Sequence, residues 1–269
     1  GGNTQQASVN VQVARDMKIG LFTVTFQDLN VAVSGLPIIV NRTYDSRDKR
    51  KGDFGIGWRL SLQTMRIRTN RVLGTGWVRS QSGAVINLTP TDAHKVSVTL
   101  PDGRVEEFDM QVSPTSGLGA LDFTSVVGFT PRAGTVGKLD ALGNNGLLIL
   151  NAGLADELVD DGTLNTYNPQ LFRYTTAEGT QIEIHRTEGV KKVTDLNGNT
   201  LTFGPDGITH SSGKGITFIR DPEGRITQIT DPAGNIRTYA YDVNGDLISA
   251  TDQVGNVARY KYNRSHGLI

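Results

Sequence analysis

The feature that most constrains the fold of this chain is a tetrad, Asp-x-x-Gly, that recurs through its last third. The last four copies begin 10, 11 and 10 residues apart, so two copies make a period of 21 residues. A unit this short buries an apolar face only by stacking on its neighbours, as repeat proteins do. The residues that define the tetrads are Asp195, Gly198, Asp221, Gly224, Asp231, Gly234, Asp242, Gly245, Asp252 and Gly255.

Each tetrad has the residue preferences of a β-turn, and we interpret its aspartate and glycine as structural turn residues. The aspartate caps the turn through its side chain, and Pro222 and Pro232 fix φ at the second position. Glycine at the fourth position adopts the left-handed conformation at no steric cost, and a type I turn followed by such a glycine produces a bulged hairpin. Strands of about five residues between these turns predict a ladder of antiparallel hairpins.

The rest of the chain also favours strands. Apolar and polar residues alternate in residues 9–13, 22–26 and 29–33, and an alternation of period two is typical of half-buried strands. Residues 38–44 are a further candidate strand. The chain holds 32 glycines, which indicates many tight turns. The predicted fold class is all-β, an antiparallel β-hairpin ribbon or β-sheet shell with a β-rich N-terminal region.

Three regions differ in their sequence pattern. Residues 1–110 form the β-rich N-terminal region, and residues 169–269 form the repeats. Between them, residues 111–168 are rich in glycine and are predicted to be an insertion or loop excursion with short strands or none. Within this insertion, residues 154–161 place two leucines four apart among acidic residues, which predicts one or two turns of surface helix.

The charge balance gives no reason to expect nucleic acid as a partner or insertion into a membrane. The 27 basic and 27 acidic residues cancel, so no net field draws the chain to polyanions. Residues 41–80 carry an excess of basic residues, for which pairing within the chain is favoured over a nucleic-acid face because no stacking or recognition-helix pattern accompanies them. No apolar run approaches the roughly 20 residues of a membrane helix. The absence of cysteine excludes disulfides and thiolate metal sites.

Two groups of residues resemble the Rhs/YD-repeat family, which includes bacterial Rhs and wall-associated proteins, the B and C components of insecticidal toxin complexes, and the teneurins. In the repeats, residues 239–245 (Tyr-Ala-Tyr-Asp-Val-Asn-Gly) and 260–263 (Tyr-Lys-Tyr-Asn) look like the Tyr-Asp step of the family. Residues 36–46 (Leu-Pro-Ile-Ile-Val-Asn-Arg-Thr-Tyr-Asp-Ser) followed by 54–58 (Phe-Gly-Ile-Gly-Trp) look like the segment that precedes the repeats in many bacterial members.

The resemblance implies a ribbon of hairpins that spirals into a hollow shell, which in toxin-bearing members encloses a C-terminal effector. It implies a non-catalytic structural segment of a large bacterial protein that is secreted or on the cell surface, with its targeting signal outside this segment. The partners would be the remainder of the parent chain or the enclosed effector, with self-association through an open strand edge near residues 257–262. The family's self-cleaving C-terminal aspartates have no counterpart in this sequence, so no catalytic role is carried over.

Other kinds of site remain as alternatives, although no catalytic, cofactor or metal site and no bound cofactor is predicted. Oxygen-rich turns such as residues 242–246 suggest calcium, but the glycine and glutamate of an EF-hand loop are missing. A polysaccharide-acting enzyme is a weak third hypothesis. The second hypothesis is an extracellular adhesion or carbohydrate-binding module, in which the repeat aromatics form a sugar platform instead of packing against the sheet. These aromatics are Phe203, Phe218, Tyr239 and Tyr260.

Overall fold

The computed structural model describes residues 22–83, 85–113, 115–116, 126–151 and 155–269. Their regular secondary structure consists of strands in antiparallel pairs, together with a 3-10 turn at Leu62–Thr64, so the predicted all-β antiparallel class is confirmed. Within this described part, no helix has the length and apolar character needed to cross a membrane. The alternating residues 9–13 lie outside it.

The chain divides into two compact units, and the first joins the residues up to Thr64 with Asn197–Ile269. Its N-terminal part, residues 22–64, is called the lead segment below. Strands β1, β2 and β5 of the lead segment form a three-stranded sheet, and β3 and β4 form a short hairpin. The strands are β1 (Thr23–Val31), β2 (Ile38–Asp45), β3 (Lys51–Gly52), β4 (Gly55–Ile56) and β5 (Trp58–Leu60).

A β-bulge in β1 explains an irregularity in the sequence. The alternation of residues 22–26 and that of residues 29–33 predict two strands that are out of phase, yet the structure has one strand across most of this stretch. The pairing with β2 shifts register between Gln27 and Leu29. A bulge sets two consecutive residues against one partner residue, and here Asp28 and Leu29 are both buried. The bulge therefore turns a carboxylate into the core of the first unit.

The second unit, Met65–Leu196, contains three groups of antiparallel strands. Their orders are β12-β10-β9-β6, then β11-β8-β7-β15-β14, and β13-β16-β17-β18. Large aromatic side chains at Trp77, Phe108 and Phe172 are fully buried in this unit. Its strands are β6 (Arg66–Thr69), β7 (Trp77–Ser82), β8 (Val85–Pro90), β9 (Lys95–Thr99), β10 (Val105–Val112), β11 (Thr115–Ser116), β12 (Val127–Pro131), β13 (Lys138–Ala141), β14 (Leu147–Asn151), β15 (Asp156–Asp160), β16 (Leu171–Thr175), β17 (Gln181–His185) and β18 (Gly189–Thr194).

The surface helix predicted for residues 154–161 is wrong, because Asp156–Asp160 form strand β15. Two neighbouring residues of this strand, Leu158 and Val159, are buried. The acidic residues that suggested an exposed helical face have other partners. Asp156 is buried against Arg79, and the Asp160 side chain accepts N–H bonds from the turn that follows the strand.

The repeat strands return to the first unit, where each strand pairs with the next along the chain. Alternate side chains of this ladder, including Phe218, Ile229 and Tyr239, point to a buried face. The strands are β19 (Thr200–Gly204), β20 (Gly207–His210), β21 (Gly215–Arg220), β22 (Ile226–Thr230), β23 (Ile236–Tyr241), β24 (Leu247–Thr251) and β25 (Val257–Arg259). The boundaries 1–110, 111–168 and 169–269 stay a prediction about sequence pattern.

Candidate functional site: the junction between the lead segment and the repeats

The tetrad turns share one hydrogen-bond pattern. Oδ1 of the first aspartate accepts backbone N–H bonds from the residues two and four positions later, over N···O distances of 2.8–3.1 Å. The fourth residue donates its N–H to the carbonyl of that aspartate. This pattern holds at Asp221, Asp231, Asp242 and Asp252. The tetrad glycines have φ of +81° at Gly198, +82° at Gly224, +85° at Gly234, +90° at Gly245 and +90° at Gly255. In the earliest copy, Asp195 directly precedes the turn that contains Gly198.

Hydrogen bonds favour the ionised form of the turn carboxylates. Burial works to raise the pKa of Asp231, but N–H donors from Asn235 and Ala233 lower it below its ordinary value. The same balance lowers the pKa of Asp242 and Asp252. Each of these three carboxylates accepts two backbone N–H bonds and one from an asparagine side chain. Their oxygens are thus occupied by the turn itself.

Two further turns follow the same pattern without the tetrad sequence. At His210 the ring Nδ1 accepts the N–H of Ser212 at 2.9 Å. At Asn263 the side-chain oxygen accepts the N–H groups of Ser265 and Gly267, both at 2.9 Å. His266 occupies the glycine position there, with φ of +56°. After the tetrad that begins at Asp252, the structure therefore continues the ladder with another turn at Asn263 and a bridge between residues 262 and 268.

A buried ion pair within the lead segment binds two tyrosines of the repeat ladder. Arg42 Nε and Nη2 donate to the two carboxylate oxygens of Asp28 at 2.8 and 3.1 Å. The repeats supply two more bonds, since Tyr239 donates to Asp28 at 2.8 Å and Arg42 donates to the hydroxyl of Tyr260 at 3.0 Å. Burial opposes the charge on Arg42, but Asp28 outweighs it, and the pKa of the guanidinium rises. We call Asp28, Arg42, Tyr239 and Tyr260 the junction.

Five aromatic rings surround the guanidinium of the junction, and they come from both the lead segment and the repeats. The distances from Arg42 Cζ to the ring centroids are 4.6 Å for Trp58, 5.2 Å for Phe26, 5.3 Å for Tyr260, 5.6 Å for Tyr239 and 5.8 Å for Phe54. Arg42 Nη1 is buried among these rings with no hydrogen-bond acceptor. A cation over aromatic faces gains further stabilisation when it is desolvated.

Two aromatic side chains of the lead segment, Trp58 and Tyr44, also form hydrogen bonds to the last part of the ladder. Trp58 Nε1 donates to the hydroxyl of Tyr262 at 2.7 Å, and that hydroxyl donates to the carbonyl of Leu247 at 2.9 Å. Tyr44 donates to the carbonyl of His266 at 2.8 Å and accepts the N–H of Leu268 at 3.1 Å. Trp58 and Tyr44 belong to the motif that resembles the family's leading segment, so the motif contacts the repeats directly.

Gly55 permits a close backbone approach between the lead segment and a tetrad turn. The N–H of Ile56 donates to the carbonyl of Gly245 in a tetrad turn at 3.2 Å. Gly55 has φ of +93°, and a Cβ on it would lie 2.6 Å from that same carbonyl oxygen. On the neighbouring turn, the carbonyl of Asp53 accepts the N–H of Ile226 at 2.7 Å. Two tetrad turns are therefore bound by the lead segment.

The repeat aromatics pack inside the unit. Phe203, Phe218 and Tyr239 have exposed fractions of 7%, 6% and 6%, and Tyr260 is half-buried against the junction. A sugar platform requires several exposed ring faces, and Phe203, Phe218 and Tyr239 lack them. The packing interpretation is therefore favoured over the platform.

Arginines of the basic stretch 41–80 pair with nearby carboxylates. Asp48 binds both Arg50 and Arg59 at 2.8 Å. Burial works to raise the pKa of Asp48, yet these two guanidinium groups hold it well below its usual range. Arg47 pairs with Asp45 at 2.7 Å.

The part of the chain that the structure describes holds no cluster of three or more histidine, aspartate or glutamate side chains arranged for a metal.

Comparison with known families agrees with this arrangement. The family model described as RHS Repeat matches residues 220–257, which contain tetrad turns and the strands between them. A second family model, described as Domain of unknown function (DUF6531), matches residues 16–70, which include the lead segment. No curated protein matches the chain. The repeat match supports the resemblance of this chain to the Rhs/YD-repeat family, and the match ahead of it is consistent with a segment that precedes such repeats.

Proposed function

We propose that this chain is a non-catalytic structural segment of a large secreted Rhs/YD-repeat protein, forming part of a β-shell that encloses or presents a toxin or effector. The junction is the observation that carries this proposal. It joins Asp28 and Arg42 to tyrosines more than 200 residues later in the chain. The family's two segments are thereby packed into one unit, as a scaffold requires.

The chemistry of the junction supports a structural role. Both oxygens of Asp28 accept hydrogen bonds, from Arg42 and from Tyr239. Asp28 has an exposed fraction of 6% and Arg42 of 1%. A general acid or base must reach a substrate proton within hydrogen-bond distance, and these groups are occupied by one another. We therefore assign them to stabilising the fold.

The regular spacing of the ladder supports a proposal for the partners of this segment. Hairpin turns begin at His210, Asp221, Asp231, Asp242, Asp252 and Asn263, at intervals of 10 or 11 residues. Such a ladder extends by adding strands at its edge, so we propose the remainder of the parent chain as the first partner and an enclosed effector as the second. Rhs repeats are typical of extracellular and cell-surface proteins, and we propose secretion for the parent protein.

Protease protection of the parent protein tests this function. The wild-type parent protein and its Asp28→Asn variant, in which the shell is destabilised, would be digested under the same conditions. Mass spectrometry would follow the survival of the C-terminal region. We expect protection of that region in the parent protein and its rapid cleavage in the variant. Arg47→Gln, which changes an exposed ion pair of the same segment, serves as the control. Equal cleavage of the C-terminal region in all three proteins would contradict enclosure.

A further inference from the structure

A polar pocket in the second unit is separate from the junction. It has a volume of about 400 Å³, which lies within the range of roughly 300–1,000 Å³ found for small-molecule sites. Strand β6 forms one side, and the segments before β16 and after β17 form the other. The lining residues are Ile67, Arg68, Thr69, Asn168, Gln170, Arg186 and Thr187.

Arg186 brings an uncompensated positive charge to this pocket. Its Nη1 donates to the amide oxygen of Asn168 at 2.6 Å, and its Nη2 donates to the hydroxyl of Thr69 at 2.8 Å. Both acceptors are neutral, and burial lowers the pKa of the guanidinium. A guanidinium has five N–H donors, so three remain for a ligand.

A second arginine adds to the positive charge. Arg68 lies on β6, is exposed, and forms no ion pair with any residue that the structure describes. The carboxylates closest in sequence or across the sheet have other partners. Glu188 pairs with Lys191 at 2.8 Å, and Glu107 pairs with Arg132 at 3.4 Å. The lining itself contains no acidic side chain.

The remaining groups suit a ligand with several hydroxyls. Asn168, Gln170 and Thr187 offer amide and hydroxyl groups, which both donate and accept hydrogen bonds. Strand β6 is the edge of its sheet, so one side of its backbone is free of the ladder. Two arginines with a set of neutral polar groups match a polyol that carries an oxyanion, because guanidinium groups bind oxyanions through paired, charge-assisted hydrogen bonds.

We propose that this pocket binds a small acidic saccharide, with Arg186 and Arg68 at its carboxylate and the neutral polar groups at its hydroxyls. The site lies outside the repeat aromatics and does not depend on the scaffold role. The ligand class follows from the charge, the polarity and the size of the pocket. A free inorganic oxyanion shares the same charge, and the test below distinguishes the two.

The test is a titration of the ¹⁵N-labelled chain by NMR at low ionic strength with three probes, namely glucuronate, glucose and inorganic sulfate. We expect glucuronate to saturate the resonances of residues 67–69 and 186–187, with a dissociation constant on the order of 1 mM. Glucose and sulfate should each bind about tenfold more weakly or not at all, because glucose has no carboxylate for the arginines and sulfate has no hydroxyls for the neutral polar groups.

Variants assign the effect to the arginines. Arg186→Gln should weaken glucuronate binding about tenfold or more, and Arg68→Gln should weaken it severalfold. Arg104→Gln is the matched control, since Arg104 is an exposed arginine of the same unit that pairs with Asp102, and it should change nothing. Arg68 is exposed and forms no ion pair with the described residues, so its variant keeps the test valid if Arg186→Gln misfolds.

Several outcomes would overturn the proposal. The proposal is wrong if glucuronate does not saturate the resonances, or if sulfate or glucose binds as tightly as glucuronate. It is also wrong if the folded Arg68→Gln or Arg186→Gln protein binds glucuronate with unchanged affinity. Sulfate binding as tightly as glucuronate would identify a bare anion site. Glucose binding as tightly would show that the arginines do not select the ligand.

Discussion

The packing of the lead segment on the repeats depends on one residue, Asp28. The bulge in β1 buries it, and its two oxygens bind Arg42 and Tyr239. A buried ion pair gives modest net stability compared with apolar residues, but loss of one partner leaves an uncompensated buried charge. The junction is therefore sensitive to single substitutions in a way that surface ion pairs are not.

We expect Asp28→Asn to lower the free energy of unfolding by about 3–5 kcal/mol, because the charge on Arg42 loses its counter-ion. Urea denaturation followed by tryptophan fluorescence would measure it, since Trp58 lies against the same guanidinium. Arg47→Gln removes an exposed pair with 64% of the arginine side chain accessible and should cost less than about 1 kcal/mol. Equal losses in the two variants would show that the junction is not a buried pair.

The tetrad glycines are required for their conformation rather than for space. Gly234 has φ of +85°, and no atom lies within 4 Å of the position of an added Cβ. We expect Gly234→Ala to lower the free energy of unfolding by about 1–2 kcal/mol, the cost of the left-handed conformation for a residue with a Cβ. Gly128→Ala is the control, since Gly128 has the same open space without a positive φ. A denaturation midpoint unchanged in Gly234→Ala would contradict the bulged-turn geometry.

At the scale of elements, the repeat strands were predictable because their signal is local. Turn residues at fixed spacing determine hairpins without information from distant parts of the chain. The bulge at Asp28 could not be predicted from the local sequence, because the residue that binds Asp28, Arg42, lies in β2. The only sign of the bulge in the sequence is that the two alternations are out of phase. Strand β15 was predicted as helix because one of its two sheet neighbours, β7, lies far away in the sequence and leaves no local signal. The turn at Asn263 was missed because asparagine and His266 replace aspartate and glycine.

The junction itself could be predicted only in part. The motifs that contain Arg42, Trp58 and Tyr239 were identified by resemblance, but nothing in the sequence paired Arg42 with Asp28. Contacts between residues about 200 positions apart depend on the folded ladder. The burial of the repeat aromatics was favoured in advance because each repeat must bury a face.

We expect calcium and zinc to leave the stability of the turns unchanged. The carboxylate of Asp242 already accepts three N–H bonds, and a cation would have to displace these donors. Binding to the native state alone raises the unfolding temperature with ligand concentration, so thermal scans with chelator and then with millimolar metal are informative. A rise of several degrees with calcium would show that the turn aspartates act as metal ligands.

At the scale of the whole molecule, β25 has a strand partner on one side only among the residues that the structure describes. Every residue of β25 is exposed, and its known partner is β24 on one side. Residues 261–262 are paired with 268–269, which leaves the edge near Val257–Arg259. An open edge is a template for strand addition, although the charge of Arg259 weakens it.

We therefore expect the chain to self-associate with concentration, or to bind the following part of its parent chain when that part is supplied. Sedimentation velocity over a wide concentration range measures this. Val257→Lys, which adds charge to the edge, should reduce the association, whereas Val243→Lys is the control because Val243 is an exposed turn residue. A strictly monomeric chain that also fails to bind the following repeats would show that the edge is closed.

The central claim is that the lead segment and the repeats are one packed structural unit joined at Asp28 and Arg42. Native-state hydrogen exchange on the wild-type chain and on Asp28→Asn tests it most directly. If the claim holds, the free energies of opening of the β1–β2 amides and of the Ile236–Tyr241 amides in β23 fall together, by the same amount of about 3 kcal/mol or more. Loss of protection confined to β1 and β2, with the amides of β23 unchanged, would contradict it.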